Sequence, residues 1–236
     1  MSPKEKDMMK SRTWKRVLAA VCAGVAAVSM AACGGGGANS TAKDGVIINS
    51  VMNSTSQASL NYNPFSSTAL TGVVGALYEP LFYMNNLKDD PTKLEPLMGK
   101  SYTISDDAKT IDVTIRDGEK WSDGEPYTAE DVAYTFNLLN SNKALNTGGF
   151  AGSAKALSDT EVRITLDNSE SVNALSYLSG TMIVPKHVWE KIDDPVTYTN
   201  KDAVGSGPFT VKGGNFSPTA YTFKKNPHYW DEIGRA

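Results

Sequence analysis

Ile111, Val113 and Ile115 alternate with Asp112, Thr114 and Arg116, and the same period of two returns at Val162, Ile164 and Leu166 with Glu161, Arg163 and Thr165 around them. Successive side chains of a strand point to opposite faces, so this period demands strands with one face buried and one in water. Tyr102 and Ile104 alternate likewise, and Asp106-Asp107-Ala108-Lys109 supplies a turn. Residues 102–115 therefore read as a β-hairpin and 161–166 as a third strand. An apolar sheet face must be covered, and a helix with a readable start lies between these strands. Thr128 precedes Ala129-Glu130-Asp131-Val132, so its hydroxyl can cap free backbone N–H groups while the acids favour the positive end of the dipole. Val132, Phe136 and Leu139 share one helical face.

The flanks read as a second unit. Val46 to Met52 is a short apolar run, a buried first strand, followed by the polar loop Asn53 to Ser59. Pro64 pushes Asn63 toward an extended backbone. Thr71 to Leu77 and Ser171 to Leu178 read as short helices, and Met182 to Trp189 returns the chain toward the first unit. Gly205-Ser206-Gly207 leads into a strand through Val211, with Tyr221-Thr222-Phe223 as its partner. Trp121 reads as a core residue, and Asp123-Gly124 as a turn pair. The class is mixed α/β, without an internal repeat.

The N-terminus carries an export pattern. Lys4, Lys6, Lys10, Arg12, Lys15 and Arg16 precede an uncharged run from Val17 to Ala32, shorter than the ~20 residues a spanning helix needs. A basic flank, a short apolar stretch and small residues before a cut site make a signal peptide. Met30-Ala31-Ala32-Cys33 resembles the lipobox of bacterial lipoproteins, with Met30 in place of the usual Leu, and implies lipidation of Cys33. The Gly/Ser tract at 33–43 suits a tether. The other cysteine, Cys22, lies inside the apolar run, so the processed chain has no disulfide framework and depends on its hydrophobic core. Of 23 basic and 26 acidic residues, the first 32 positions hold 6 and 2. The remainder is acidic and mixed in sign, which argues against nucleic acid. Stable membrane attachment would then come from acyl chains.

Several stretches together resemble the peptide/nickel-type family of bacterial solute-binding proteins, extracellular family 5. They are Asn63-Pro64-Phe65, Tyr78-Glu79-Pro80-Leu81, Leu94-Glu95-Pro96-Leu97, Trp121-Ser122-Asp123-Gly124, Thr128 to Val132, Pro185-Lys186-His187-Val188-Trp189, Gly205-Ser206-Gly207-Pro208-Phe209 and Asn226-Pro227-His228-Tyr229-Trp230. Ser206 stands where the family usually has Thr or Ile. The resemblance implies a periplasmic-binding-protein-like, type II, two-lobed α/β fold, of which this chain is expected to hold only the N-terminal lobe and its subdomain, incomplete. The implied divisions are a signal peptide at 1–32, a tether at 33–43, the first part of lobe I at 44–90, an inserted β-rich subdomain at 91–184, and a return into lobe I at 185–236, truncated before lobe II.

The implied function is the substrate-binding component of an ABC importer. It would capture oligopeptides outside the cytoplasmic membrane and deliver them to a permease and ATPase complex, as a monomer held to the outer face of that membrane by its lipid anchor. Candidate ligand-binding residues are Asn53, Ser54, Thr55, Asn63, Phe65, Gly149, Phe150, Gly205 and Ser206, in loops that can offer backbone and side-chain polar groups beside aromatic faces. An oligosaccharide is the alternative ligand, with Tyr62, Phe65 and Phe150 as aromatic platforms. An exported hydrolase is disfavoured: His187 and His228 are the only histidines, no Gly-x-Ser-x-Gly elbow appears, and Asp117, Asp123 and Asp131 are explained by turns and caps. No His/Cys cluster has metal-ligating spacing, and no cofactor is expected. A surface adhesin or sensor that kept the fold remains a further alternative, because fold does not fix function.

Overall fold

The computed structural model describes residues 46–50, 60–90, 92–169, 171–217 and 220–231. The chain divides into two units, Met1–Lys43 and Asp44–Ala236, and everything described lies in the second. Its elements are β1 (Val46–Ser50), β2 (Phe82–Tyr83), β3 (Glu95–Pro96), β4 (Gly99–Ile104), β5 (Thr110–Ile115), α1 (Ala129–Ser141), β6 (Gly152–Ala156), β7 (Glu161–Leu166), α2 (Ser171–Gly180), α3 (Lys186–Trp189), β8 (Phe209–Phe216) and β9 (Ala220–Lys225).

The alternating segments form one antiparallel sheet in the order β4-β5-β7-β6. Ile111 sits opposite Ile164 and Val113 opposite Val162, so both strands turn their apolar residues to the same face. α1 covers that face with Val132, Phe136 and Leu139, all buried. Val132 and Phe136 share a cluster with Trp121, Ile115, Leu166 and Phe150. β6 has no counterpart in the sequence reading, because Gly152-Ser153-Ala154-Lys155-Ala156 lacks the β-branched residues that mark strands. A side chain supplies what propensity does not. Asn137 of α1 donates its Nδ2 to the Ala154 carbonyl at 2.8 Å and accepts the Ala154 N–H at 2.9 Å.

A second sheet has the order β1-β9-β8, with β1 antiparallel to β9 from Val46–Lys224 to Ser50–Ala220. Tyr221 and Phe223 of β9 point into a second cluster with Tyr62, Leu77, Tyr78, Val184 and Trp189. The short helix expected at Thr71–Leu77 is a single wide turn over Val73–Leu77. Val74 is extended there, and Gly75 has a φ of 88°, angles that no continuous α-helix accepts.

Candidate functional site

Stretches that lie far apart in sequence meet at one buried junction. Asp131, 4% exposed, accepts the Thr128 N–H at 2.8 Å and the Trp121 indole N–H at 3.2 Å on Oδ2, and the Lys186 N–H at 2.8 Å on Oδ1. Thr128 and Asp131 thereby form a capping box at the start of α1. Burial pushes the Asp131 carboxyl above its ordinary range, and its three donors pull it back. Ser122 and Gly205 exchange two bonds: the Ser122 N–H donates to the Gly205 carbonyl at 3.0 Å, and the Gly205 N–H to Ser122 Oγ at 3.1 Å. A Cβ at Gly205 would overlap the Leu77 carbonyl oxygen, so glycine is required by the close approach of two backbones. Asn226 donates to the Gly207 carbonyl at 2.9 Å.

Glu79 closes the junction. It accepts the Tyr229 hydroxyl at 2.9 Å and the Trp230 indole at 3.4 Å, and its own N–H donates to Ser206 Oγ at 3.3 Å. Burial raises the Glu79 carboxyl, and those two donors oppose the rise. The Arg116 guanidinium lies 3.9 Å from the centre of the Trp230 ring, within cation–π range. Nearly every polar group of the junction is spent on another part of the chain. Its role is to hold the two sheets' connecting segments in register.

The sequence-derived candidates fall in different places. Cys33, Asn53, Ser54 and Thr55 lie outside the described residues. Gly205 and Ser206 are buried in the junction. Asn63 is fully buried; its Nδ2 donates to the carbonyls of Pro195 and Tyr198 at 3.1 and 2.9 Å, and its Oδ1 accepts the Phe65 N–H at 3.0 Å. Asn63 thus positions Phe65.

Phe65 and Phe150 do come together. Both line a cavity of about 310 Å³ with Leu139, Leu145, Tyr177 and Met182. Gly148 is on its wall, while Gly149, one residue on, is exposed and accepts the Tyr177 hydroxyl at 3.3 Å on its carbonyl. Phe150 is 3% exposed and packs between Phe136 and Tyr177, at 4.9 and 5.4 Å between ring centres. It is a wall of the cavity rather than an open platform. Phe65 is half-buried and meets Trp189 edge-on at 5.5 Å, leaving its ring the more accessible aromatic. Asn146 grips the Phe150 backbone from both sides, at 2.7 and 2.8 Å, so the loop is pre-shaped. Thr147, Ser176 and Thr181 contribute hydroxyls, and among the described residues none that lines the cavity is charged. Such a cavity suits an apolar side chain or a neutral polar ligand. Tyr177 and Met182 were absent from the sequence candidates; they join the site only because α2 packs beside the 142–150 loop.

Comparison with known proteins places this geometry in context. Residues 93–236 match the model of the bacterial extracellular solute-binding proteins, family 5 Middle. Protein XP55 of Streptomyces lividans is 33% identical over 150 residues, covering 61% of this chain and 27% of that protein. The oligopeptide-binding protein OppA of Bacillus subtilis is 29% identical over 236 residues, covering 86% of this chain and 41% of that protein. A mannohexaose-bound crystal structure of the periplasmic oligopeptide-binding protein of an oligopeptide ABC transporter from Thermotoga maritima superimposes with a TM-score of 0.66 at 28% identity. It covers 74% of this chain and 32% of that one. The chain thus spans between 27% and 41% of the length of these relatives.

Proposed function

Because this chain belongs to the bacterial extracellular solute-binding proteins of family 5, we propose that it forms part of the component of an ABC importer that captures oligopeptides outside the cytoplasmic membrane. The observation that carries this reading is the uncharged cavity between Phe65 and Phe150. Neutral, roomy walls accept varied apolar side chains without selecting for charge, which a carrier of mixed peptides requires. Backbone groups of a second lobe would complete the grip, and delivery would be to a permease driven by an ATPase. The boundaries at 44–90, 91–184 and 185–236 serve as the proposed divisions of the first lobe, and the chain acts as a binder rather than an enzyme. Lipidation of Cys33 is the proposed means of attachment.

A second reading has its own support. The Thermotoga relative was crystallised with mannohexaose, and a cavity combining aromatic faces with Thr147, Ser176 and Thr181 hydroxyls suits an oligosaccharide.

Both readings are tested on protein extracted by detergent from its source cells. Mass spectrometry of small molecules released on denaturation is expected to yield a mixture of peptides. Release of oligosaccharides alone would replace the first reading with the second. Labelled fatty acid is expected on the wild-type protein and to vanish in Cys33→Ala; label that persists in the variant would overturn the proposed anchor.

A further inference from the structure

Among the described residues β6 is an edge strand, paired with β7 alone in the order β4-β5-β7-β6. The ladder shows which of its backbone groups face the open side. Ala151 accepts the Asp167 N–H at 3.0 Å, and Leu157 donates to the Glu161 carbonyl at 2.7 Å. Hydrogen-bonded and non-bonded positions alternate along an antiparallel pair, and the register is unbroken from Gly152–Leu166 to Ala156–Val162. Ser153 and Lys155 therefore bond to β7, while Gly152, Ala154 and Ala156 turn their N–H and C=O groups outward. An outward row of this kind is a template for another strand.

α1 intercepts the row with side chains. Asn137 donates to the Ala154 carbonyl at 2.8 Å and accepts the Ala154 N–H at 2.9 Å, and Asn140 Oδ1 accepts the Gly152 N–H at 3.4 Å. A side-chain amide carries the same donor and acceptor as a peptide group, so Asn137 occupies the seat that one residue of a neighbouring strand would take. Helix formation does not account for either residue. Both are exposed on α1, where asparagine is a weaker helix former than alanine, lysine or glutamate. The body of the helix does not seal the edge either. A groove of about 260 Å³ lies between α1 and β6, lined by Tyr134, Asn137, Lys155 and Ala156 among others. The opposite edge is protected differently: β4 opens on a register shift between Gly99 and Ser101 and exposes Lys100, two features that turn away a pairing strand.

We propose that Asn137 and Asn140 guard β6 against pairing with a second copy of this chain. The outward groups fit a two-fold partner. Antiparallel pairing centred on Ala154 joins it to Ala154 of the second copy and joins Gly152 to Ala156, each through outward groups. The same register places Lys155 opposite Ser153, so no like charges meet. Withdrawing the two asparagines from the edge leaves this register free to form.

Particle mass of the full chain, measured in detergent by light scattering during size-exclusion chromatography, tests the proposal. The double substitution Asn137→Ala with Asn140→Ala is expected to raise the mass to about twice that of wild type, with far-ultraviolet circular dichroism unchanged. Adding Ser153→Lys, which sets lysines opposite each other on both sides of the two-fold, is expected to return the mass to the wild-type value. Adding Ser153→Glu, which meets Lys155 with an opposite charge, is expected to keep the mass doubled. A natively folded double variant whose mass matches wild type, or a doubled mass indifferent to Ser153→Lys, would overturn the proposal. Amide exchange of the wild-type chain decides the matter should the double variant not fold. The Ala154 N–H, held by Asn137, is expected to exchange at least about tenfold more slowly than the Ala156 N–H beside the groove; equal rates would overturn it as well. None of these readouts involves a ligand, so the peptide-carrier reading stands or falls separately.

Discussion

The Tyr229 hydroxyl donates to Glu79 Oε1 at 2.9 Å across 150 positions of sequence. That bond ties the segment after β9 to the one before β2. Tyr229→Phe leaves the buried carboxylate with one fewer donor, and is expected to cost about 1–2 kcal/mol. Urea denaturation, read as a lower midpoint at unchanged slope, checks it.

The same carboxylate sets a pH dependence. Burial raises the Glu79 pKa above 4.5 in the folded state, so the native protein holds its proton more tightly than the unfolded chain. Stability from this group is therefore present at low pH and declines as pH rises from 4.5 through the folded value. Asp131, raised above 3.8 by burial, acts with the same sign. Asp107 and Asp112, lowered by the Ser105 hydroxyl and by Arg163 respectively, act oppositely below 3.8. In Glu79→Gln, the decline above 4.5 should flatten. An unaltered profile would remove Glu79 as its source.

Asp131→Ala deprives Thr128 N–H, Trp121 Nε1 and Lys186 N–H of their shared acceptor. The expected loss is at least about 3 kcal/mol, since several buried donors are stranded together. Near-ultraviolet circular dichroism should change with it, because Trp121 loses its fixed orientation.

Two glycines make a controlled comparison. Gly205→Ala forces a methyl group onto the Leu77 carbonyl, and should destabilise by about 3 kcal/mol or yield insoluble protein. Gly148→Ala meets nothing within 4 Å and should remain within about 0.5 kcal/mol of wild type. Equal behaviour of the two variants would count against the close backbone approach.

Phe65 and Phe150 should separate binding from folding. Phe150→Ala empties a core position and is expected to cost about 3–5 kcal/mol. Phe65→Ala should cost less in stability, yet weaken oligopeptide or oligosaccharide binding by about tenfold, the worth of one good aromatic contact. Titration of each variant beside its denaturation curve gives both quantities.

Sequence alone determined the elements whose signal is local. The period of two at Ile111–Ile115 and Val162–Leu166 fixed which faces of β5 and β7 are buried, because the pleat imposes that alternation. Thr128 and Asp131 fixed where α1 begins, because a capping box is made within four residues. The ordered motifs carried the resemblance to the family, although the part that several of them play in one buried junction was invisible. What the tertiary structure decided depends on contacts between distant residues. β6 exists through its pairing with β7 and the two bonds from Asn137 to Ala154, and the turn at Val73–Leu77 through packing that overrides helical spacing. Phe65 and Phe150, 85 positions apart in the sequence, share a cavity only because α2 and the loop after α1 bring them there. Asn63, Gly205 and Ser206 carry the residue types of a binding loop, yet their polar groups are taken up within the fold. No local pattern records which hydrogen bonds a folded chain keeps for itself and which it leaves for a ligand.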